Sequence, residues 1–291
     1  MARRSARLLM AALLAAIPLP ALADAAPQIA LTFDDIPAHS LLPPGETRVA
    51  VIDRIIAELK AARAPAFGFA NAGKGEPGEL DAVLARWSEA GLPFGNHGYN
   101  HLNLDAVGEP TFVAEIDRND AELAPRGMKR WFRYPFLAEG KNPAVRDAVR
   151  KALADRHYHI AGVSLSFDDW AWNEPYSRCA TQGNQSAIAD LETRYLDAAR
   201  ADAEAARAAS KARFGRDVPY VLLLHIGAFD ARMLPRLLDL YRGMGFQFIT
   251  LEQAQRDKFY AATDPREPGP TPALLRTTPL PPKPGAEVCS R

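Results

Sequence analysis

The 291-residue sequence lacks the features that mark several classes of protein. It has no excess charge of either sign, with 35 basic and 35 acidic side chains. Proteins that bind nucleic acids or anionic membranes usually carry a basic excess, so neither partner is expected. The chain has only two cysteines, Cys179 and Cys289, and no internal repeat. Its hydrophobic fraction of 48% and charged fraction of 24% are ordinary for a globular protein.

The N-terminus has no apolar run long enough to span a membrane. Three arginines precede the apolar residues 8–17, and Ala21-Leu22-Ala23 follows as a small-x-small cleavage site. This pattern predicts a signal peptide over residues 1–23, because a transmembrane helix needs about 20 apolar residues. The alternative is an N-terminal membrane anchor. We expect an exported protein, periplasmic or secreted, whose mature form has no stable membrane span.

The predicted export also affects the oxidation state expected for the two cysteines. An oxidising compartment permits one disulfide between Cys179 and Cys289, and two free thiols are the alternative. The Pro-rich residues 264–291 are expected to form an extended strap or a disordered end. Residues 24–263 are predicted to form a single catalytic domain.

The body alternates short apolar segments with helical patterns. Strands are predicted at residues 28–33, 65–70, 93–96, 129–134, 159–166, 219–225 and 246–250. Helices are predicted at residues 46–63, 79–90, 111–123, 143–154 and 231–242, with a long Ala-rich exterior helix at 188–214 that has a solvated side. This alternation indicates an α/β fold with a parallel sheet, open or closed into a barrel.

Polar residues follow several of these strands, at the end where parallel α/β folds place their active sites. His97 and His101 are four residues apart, a spacing that places two side chains on one face of a helical turn. Two imidazoles and one carboxylate make a three-ligand site of the catalytic zinc type. Asp34 and Asp35 would point to opposite sides of an extended strand, so one can bind metal while the other takes a proton.

Two further pairs of residues are expected at this edge. Arg133 is placed to pair with Asp34 and keep it ionised. Asp169 is placed to hydrogen-bond His225 and raise the pKa of its imidazole, which would make His225 a general acid. His39, in the loop after Asp35, is a weaker candidate for contact with substrate.

Five segments, in this order, resemble the polysaccharide deacetylase family (NodB homology, carbohydrate esterase family four). They are TFDD (32–35), NHGYNH (96–101), RYPF (133–136), DDW (168–170) and LLLH (222–225). The resemblance extends over residues 28–253 and implies a distorted (β/α)7 barrel. It also implies hydrolysis of acetyl groups on sugars with a divalent metal ion, for which Zn²⁺ is expected.

The resemblance assigns a role to each matched residue. It implies Asp34 as the catalytic base, Asp35, His97 and His101 as metal ligands, Arg133 as the tether of the base, the Phe136 N–H as an oxyanion donor, Asp169 as the partner of the acid His225, and Trp170 and Leu223 as the lining of the acetyl pocket. Three positions depart from the usual motifs: Gly98 replaces Ser or Thr, Tyr134 replaces Pro, and Ser166 replaces Asp. None of them is an expected metal ligand, so they bear on substrate preference.

The expected function is removal of acetyl groups from N-acetylated, and in some cases O-acetylated, sugars of an extracytoplasmic glycan. Hydrolysis of a small non-sugar amide is the second hypothesis. A glycan-binding protein with weak catalysis is the third, and its mark would be the loss of a metal ligand.

Overall fold

Seven parallel strands form the centre of the protein. A computed structural model describes residues 26–272, 274–276 and 278–290; the predicted signal peptide lies outside these residues. The strands are Gln28–Ile36 (β1), Ala66–Ala70 (β2), Phe94–Asn96 (β3), Trp131–Phe132 (β4), His159–Ile160 (β5), Tyr220–His225 (β6) and Gln247–Ile249 (β7).

Helices surround this sheet. They are Arg48–Ala62 (α1), Glu79–Glu89 (α2), Leu104–Val107 (α3), Glu109–Leu123 (α4), Pro143–Asp155 (α5), Trp170–Thr181 (α6), Gln185–Phe214 (α7), Ala228–Gly243 (α8) and Leu251–Ala254 (α9). None of the helices within the described ranges has the length and hydrophobicity needed to cross a membrane.

The order of strands explains the shape of the sheet. Six strands run in the order β5-β4-β3-β2-β1-β6. The segment after β5 bridges to β6 at Leu165 and Leu222, so the sheet curls into a half-barrel. β1 pairs with β6 along one edge, and its other edge is shared by β7 at Gln28–Ala30 and by β2 from Leu31 onward. The predicted α/β fold and distorted barrel are confirmed.

The two shortest strands are shorter than predicted: β4 was expected at residues 129–134 and comprises only Trp131–Phe132. Residues 159–166 were expected to form one strand, but only His159 and Ile160 pair with β4. Ala161 N–H makes the last bond to β4, at Phe132 O, and Ser164 and Leu165 then donate to Val221 O of β6. The rest of the predicted strand therefore crosses from one side of the half-barrel to the other.

Two helical regions also differ from the predictions. Helix α6 was not predicted, because Pro175 lies inside it and Pro is a poor residue for a helix interior. The long helix α7 was expected to be exterior and does have a solvated side. Its alanines Ala198, Ala199, Ala203 and Ala206 are nonetheless fully buried. Small side chains allow close packing, so α7 contributes one face to the core.

The C-terminal strap, which comprises the described residues of 264–290, lies against the domain. Cys179 of α6 and Cys289 form a disulfide. Arg276 pairs with Asp202 of α7 at 3.0 Å, and Lys283 pairs with Asp168 at 3.1 Å. These contacts show a strap rather than a disordered end for this part of the tail.

Candidate active site

The carboxyl ends of the strands bring the predicted site residues together. β1 ends in the Asp34-Asp35 region, His97 directly follows β3, and β6 ends at His225. Arg133 follows β4, and Asp169 directly precedes α6. Because the strands are parallel, these positions meet at one edge of the sheet.

A backbone irregularity at the end of β1 directs both aspartates into the same pocket. Asp35 has a left-handed backbone, with φ of 67°, and the register of β1 with β2 shifts between Phe33 and Ile36. His97 Nε2 lies 3.6 Å from Asp34 Oδ2 and 3.9 Å from Asp35 Oδ1. The expectation that the two side chains point to opposite sides is therefore wrong, since alternation holds only for a regular strand.

The two predicted histidine ligands converge without a helix. Residues 97–101 form a loop in which His101 has φ of 58°. The ring centroids of His97 and His101 are nevertheless 4.9 Å apart. The predicted helical turn is therefore wrong. The left-handed backbone of His101 itself brings its ring back toward His97.

The donor set formed by Asp35, His97 and His101 fits a divalent metal ion. Ligand atoms of the three residues all lie within 4.8 Å of one another. His97 Nδ1 donates to Arg133 O at 2.8 Å, which leaves Nε2 as the lone-pair nitrogen directed toward Asp35. Nitrogen and carboxylate donors with room for further ligands are typical of catalytic zinc sites.

Burial keeps these ligands in the ionisation states that metal binding needs. Desolvation lowers the pKa of both His97 and His101 to about 3, so both imidazoles are neutral near pH 7. Burial opposes ionisation of Asp35, but a hydrogen bond from His39 and the positive charge of His225 outweigh it. The pKa of Asp35 is thereby held well below its usual value.

Three buried asparagines, which the sequence analysis did not identify, hold the histidine loop. Asn71 Nδ2 donates to the carbonyls of both His97 and Gly98, each at 2.6 Å. Asn96 Oδ1 accepts from Gly98 N–H and from Asn119 Nδ2, both at 2.8 Å. The only sequence signal was the position of Asn71 and Asn96 at strand ends.

Arg133 and Asp34 form a buried pair. Arg133 Nη1 lies 3.3 Å from Asp34 Oδ1, and its Nε donates to Ala161 O at 2.8 Å. Burial raises the pKa of Asp34 above its usual value, although the Arg133 charge opposes this rise. A carboxylate with a raised pKa is a stronger proton acceptor than an exposed one.

Asp169 and His225 form a second buried pair at the end of β6. His225 Nδ1 lies 3.0 Å from Asp169 Oδ1. Burial lowers the pKa of His225, but the charge of Asp169 and this hydrogen bond outweigh it and raise the pKa to about 10. His225 is therefore protonated at neutral pH and can donate a proton.

Asp34, Asp35, His97, His101 and His225 line a pocket of about 330 Å³. Leu223 is buried in its wall, whereas Trp170 and Phe136 are exposed at its mouth, by 45% and 63%. Phe136 has φ of 58° and packs 4.5 Å from the His101 ring. Leu274 of the C-terminal strap completes the lining. All predicted site residues except Arg133 and Asp169 thus line one pocket, and these two contact Asp34 and His225.

The sequence matches a known family over residues 22–157, and the matching family model is described as polysaccharide deacetylase. Over these residues, just under half of its length, the chain is similar to polysaccharide deacetylases. It is accordingly a hydrolase of the class that acts on carbon–nitrogen bonds other than peptide bonds. A comparison with curated proteins found no match.

Solved structures of polysaccharide deacetylases share this fold. A peptidoglycan deacetylase from Bacillus subtilis is 17% identical, with 80% of this chain and 91% of that chain covered and a TM-score of 0.53. A family 4 carbohydrate esterase from Streptomyces lividans, in complex with acetate, is 18% identical, with 80% and 97% covered and a TM-score of 0.50. A pseudoenzyme of carbohydrate esterase family 4 from Bacillus anthracis is 15% identical, with 80% and 66% covered and a TM-score of 0.52. At these identities the likeness establishes the fold alone.

The three departures from the polysaccharide deacetylase motifs have clear places in the structure. Gly98 has φ of 74°, a conformation in which Ser or Thr would be strained. Ser166 lines the pocket, and its carbonyl accepts a hydrogen bond from Arg276 of the strap. Tyr134 is buried and stacks on Phe112, with the two ring centroids 5.8 Å apart.

Proposed function

We propose that this protein is a metal-dependent deacetylase that removes acetyl groups from N-acetylated sugars of an extracytoplasmic glycan, and in some substrates from O-acetylated sugars. One observation carries the proposal. The donor set of Asp35, His97 and His101 lies in the same pocket as a buried carboxylate, Asp34, and a protonated imidazole, His225. Metal-assisted amide hydrolysis uses these three elements: a metal ion that activates water, a general base and a general acid.

Asp35, His97 and His101 are the proposed ligands of a divalent metal ion, with Zn²⁺ the expected ion. A metal held there would polarise the substrate carbonyl and lower the pKa of a nearby water molecule. Two neutral imidazoles and one ionised carboxylate leave the site with a net positive charge once the ion is bound. This charge suits a reaction that develops an oxyanion.

Asp34 is the proposed general base. It is buried beside the proposed ligands, and Arg133 Nη1 contacts both of its oxygens, Oδ1 at 3.3 Å and Oδ2 at 3.4 Å. Its raised pKa favours acceptance of a proton from the attacking water. Arg133 in turn is held by Ala161 O and by Thr32 Oγ1, so the base has a fixed orientation.

His225 is the proposed general acid. Nitrogen leaves poorly unless it is protonated, and the Asp169 charge keeps His225 protonated up to about pH 10. Nδ1 is occupied by Asp169, so Nε2 is the nitrogen available to the leaving group. The Phe136 N–H is the proposed oxyanion donor, and Trp170 and Leu223 are the proposed contacts of the acetyl group.

Residues 24–263 are the proposed catalytic domain. The disulfide between Cys179 and Cys289 supports an exported protein, periplasmic or secreted, since disulfides persist in oxidising compartments. A small non-sugar amide remains a second candidate substrate, because the pocket is modest in size and one wall is closed by the strap. A glycan-binding role with weak catalysis is the third candidate.

Acetate release tests the proposal. The mature protein should bind about one equivalent of zinc and release acetate from at least one of chitin oligomers, peptidoglycan and acetylxylan. Asp34→Asn should retain zinc and lose turnover. Zinc-loaded protein that releases no acetate from any of these glycans would contradict the proposal and favour a small amide or a binding role. Full activity of Asp34→Asn would show that Asp34 is not the base.

A further inference from the structure

His39 lies beside the proposed metal ligands, in the loop that follows β1. Arg48, the first residue of α1, fixes the main chain of this loop: its Nη1 donates to His39 O at 2.6 Å and its Nη2 to Ser40 O at 2.5 Å. The His39 ring lies 4.6 Å from the His225 ring and lines the pocket. The loop therefore delivers an imidazole to the site in a fixed place.

The two oxygens of Asp35 have different partners. Oδ2 accepts a hydrogen bond from His39 Nδ1 at 2.8 Å. Oδ1 faces the other two ligands, with His101 Nε2 at 3.5 Å and His97 Nε2 at 3.9 Å. Lys74 Nζ also lies near Oδ1, at 3.4 Å. The carboxylate is thus divided into an oxygen held by His39 and an oxygen directed at the metal position.

We propose that His39 is a positioning residue of the metal site, which holds Asp35 Oδ2 so that Oδ1 alone is presented alongside His97 and His101. The inference rests on the proposed function, because it supposes that a metal binds there. Groups that hydrogen-bond a metal ligand fix its orientation, and their removal typically weakens metal binding by about 10–100-fold.

A second group of metal-ligand atoms that also includes Asp35 would give His39 a different role. Ligand atoms of Asp35, His39 and His225 also lie within 4.8 Å of one another. If His39 were itself a ligand, Asp35 would bridge two metal ions. The 2.8 Å distance between His39 Nδ1 and Asp35 Oδ2 favours the hydrogen bond, because two ligands about 2 Å from one tetrahedral zinc ion lie about 3.3 Å from each other.

Zinc affinity of the full chain, measured by competition with a chromophoric chelator, tests the inference. His39→Ala should weaken zinc binding by about 10–100-fold. His39→Asn should recover most of that loss, because the Asn amide nitrogen can occupy the position of the imidazole Nδ1 and donate the same bond. Lys74→Met is the matched control on the other oxygen. It removes a positive charge near Oδ1 and should leave zinc affinity equal or higher.

The outcomes separate the inference from the proposed function. If the wild type binds one zinc and His39→Ala binds it equally well, or if His39→Asn is as weak as His39→Ala, the positioning role is overturned. Two zinc ions in the wild type and one in His39→Ala would overturn it in favour of a ligand role. A wild type that binds no zinc would overturn the proposed metal dependence itself, and this inference with it. Thermal unfolding of the metal-free variants shows whether a weaker affinity reflects a misfolded chain.

Discussion

Asp169 binds His225 through both of its carboxylate oxygens. Oδ2 accepts a bond from the His225 backbone N–H at 2.6 Å, and Oδ1 accepts one from the ring Nδ1 at 3.0 Å. One carboxylate therefore fixes the end of β6 and also the protonation state of the imidazole. The position and the acidity of the proposed acid depend on the same residue.

The first prediction concerns the pH dependence of turnover. The pKa of His225 is about 10, so kcat/KM should fall as the pH rises through 10 and the imidazolium loses its proton. Asp169→Asn removes the charge that raises this pKa. The alkaline limb should then move toward the ordinary imidazole pKa of about 6.5. A pH–rate profile of both proteins on the best glycan substrate measures the shift.

Asp168→Asn is the control for this profile. Asp168 neighbours Asp169 in the chain but pairs with Lys283 of the strap. Its variant should keep the alkaline limb near pH 10. If the limb of Asp169→Asn also stays near pH 10, another group is the acid.

The second prediction concerns acid stability of the metal-free protein. The pKa of His101 is about 3 in the folded chain and about 6.5 in the unfolded chain. Between these values the unfolded chain binds more protons, so the free energy of unfolding falls as the pH falls from 6.5 toward 3. The slope from one such imidazole approaches about 1.4 kcal/mol per pH unit.

Urea unfolding after chelation, at several values between pH 7.5 and 4.5, measures this slope. His101→Asn should make it shallower, because Asn does not titrate and tolerates the left-handed backbone at this position. His159→Asn, at an exposed histidine outside the pocket, should leave it unchanged. Equal slopes in the wild type and His101→Asn would show that His101 does not have a lowered pKa.

The third prediction concerns Asn71. Asn71→Asp replaces the amide that donates to the carbonyls of His97 and Gly98 with a group that cannot donate when ionised. The unpaired carbonyls should lower the free energy of unfolding by roughly 1–3 kcal/mol and weaken zinc binding. Asn142→Asp makes the same chemical change at a helix N-cap, where the side chain accepts a bond. It should be neutral or slightly stabilising, since Asp is a good N-cap residue. Chemical denaturation measures the free energy of unfolding of both variants. Equal values would contradict the role of Asn71.

The fourth prediction concerns the disulfide between Cys179 and Cys289, which closes a sequence separation of 110 residues. Reduction of the wild type should lower its free energy of unfolding by about 2–5 kcal/mol, because a long loop gains freedom in the unfolded chain. A Cys179→Ala/Cys289→Ala double variant should show no response to the reductant. If the oxidised and reduced wild type unfold at the same denaturant concentration, the bond does not contribute to stability.

The sequence predicted the ends of β2, β3 and β6, because the burial of their apolar segments determines the sheet. It failed where tertiary contacts decide the local backbone. The left-handed conformation of His101 and the irregularity at Asp35 have no signature in spacing. Asn71 and Asn119 act through bonds to distant carbonyls, so their types alone gave no signal. Helix α6 was not predicted, because its tertiary packing outweighs the cost of Pro175 in the helix interior.

Five residues around the pocket share one property: Asp35, His101, Phe136, Leu137 and Asp168 all have φ between 52° and 67°. Side chains other than glycine adopt this region at a cost of roughly 1–2 kcal/mol each. The contacts of the rest of the fold must hold these residues in this conformation. Their backbone strain therefore reduces the free energy of unfolding that burial of the core provides. At these positions the backbone conformation that shapes the pocket is also one that costs stability.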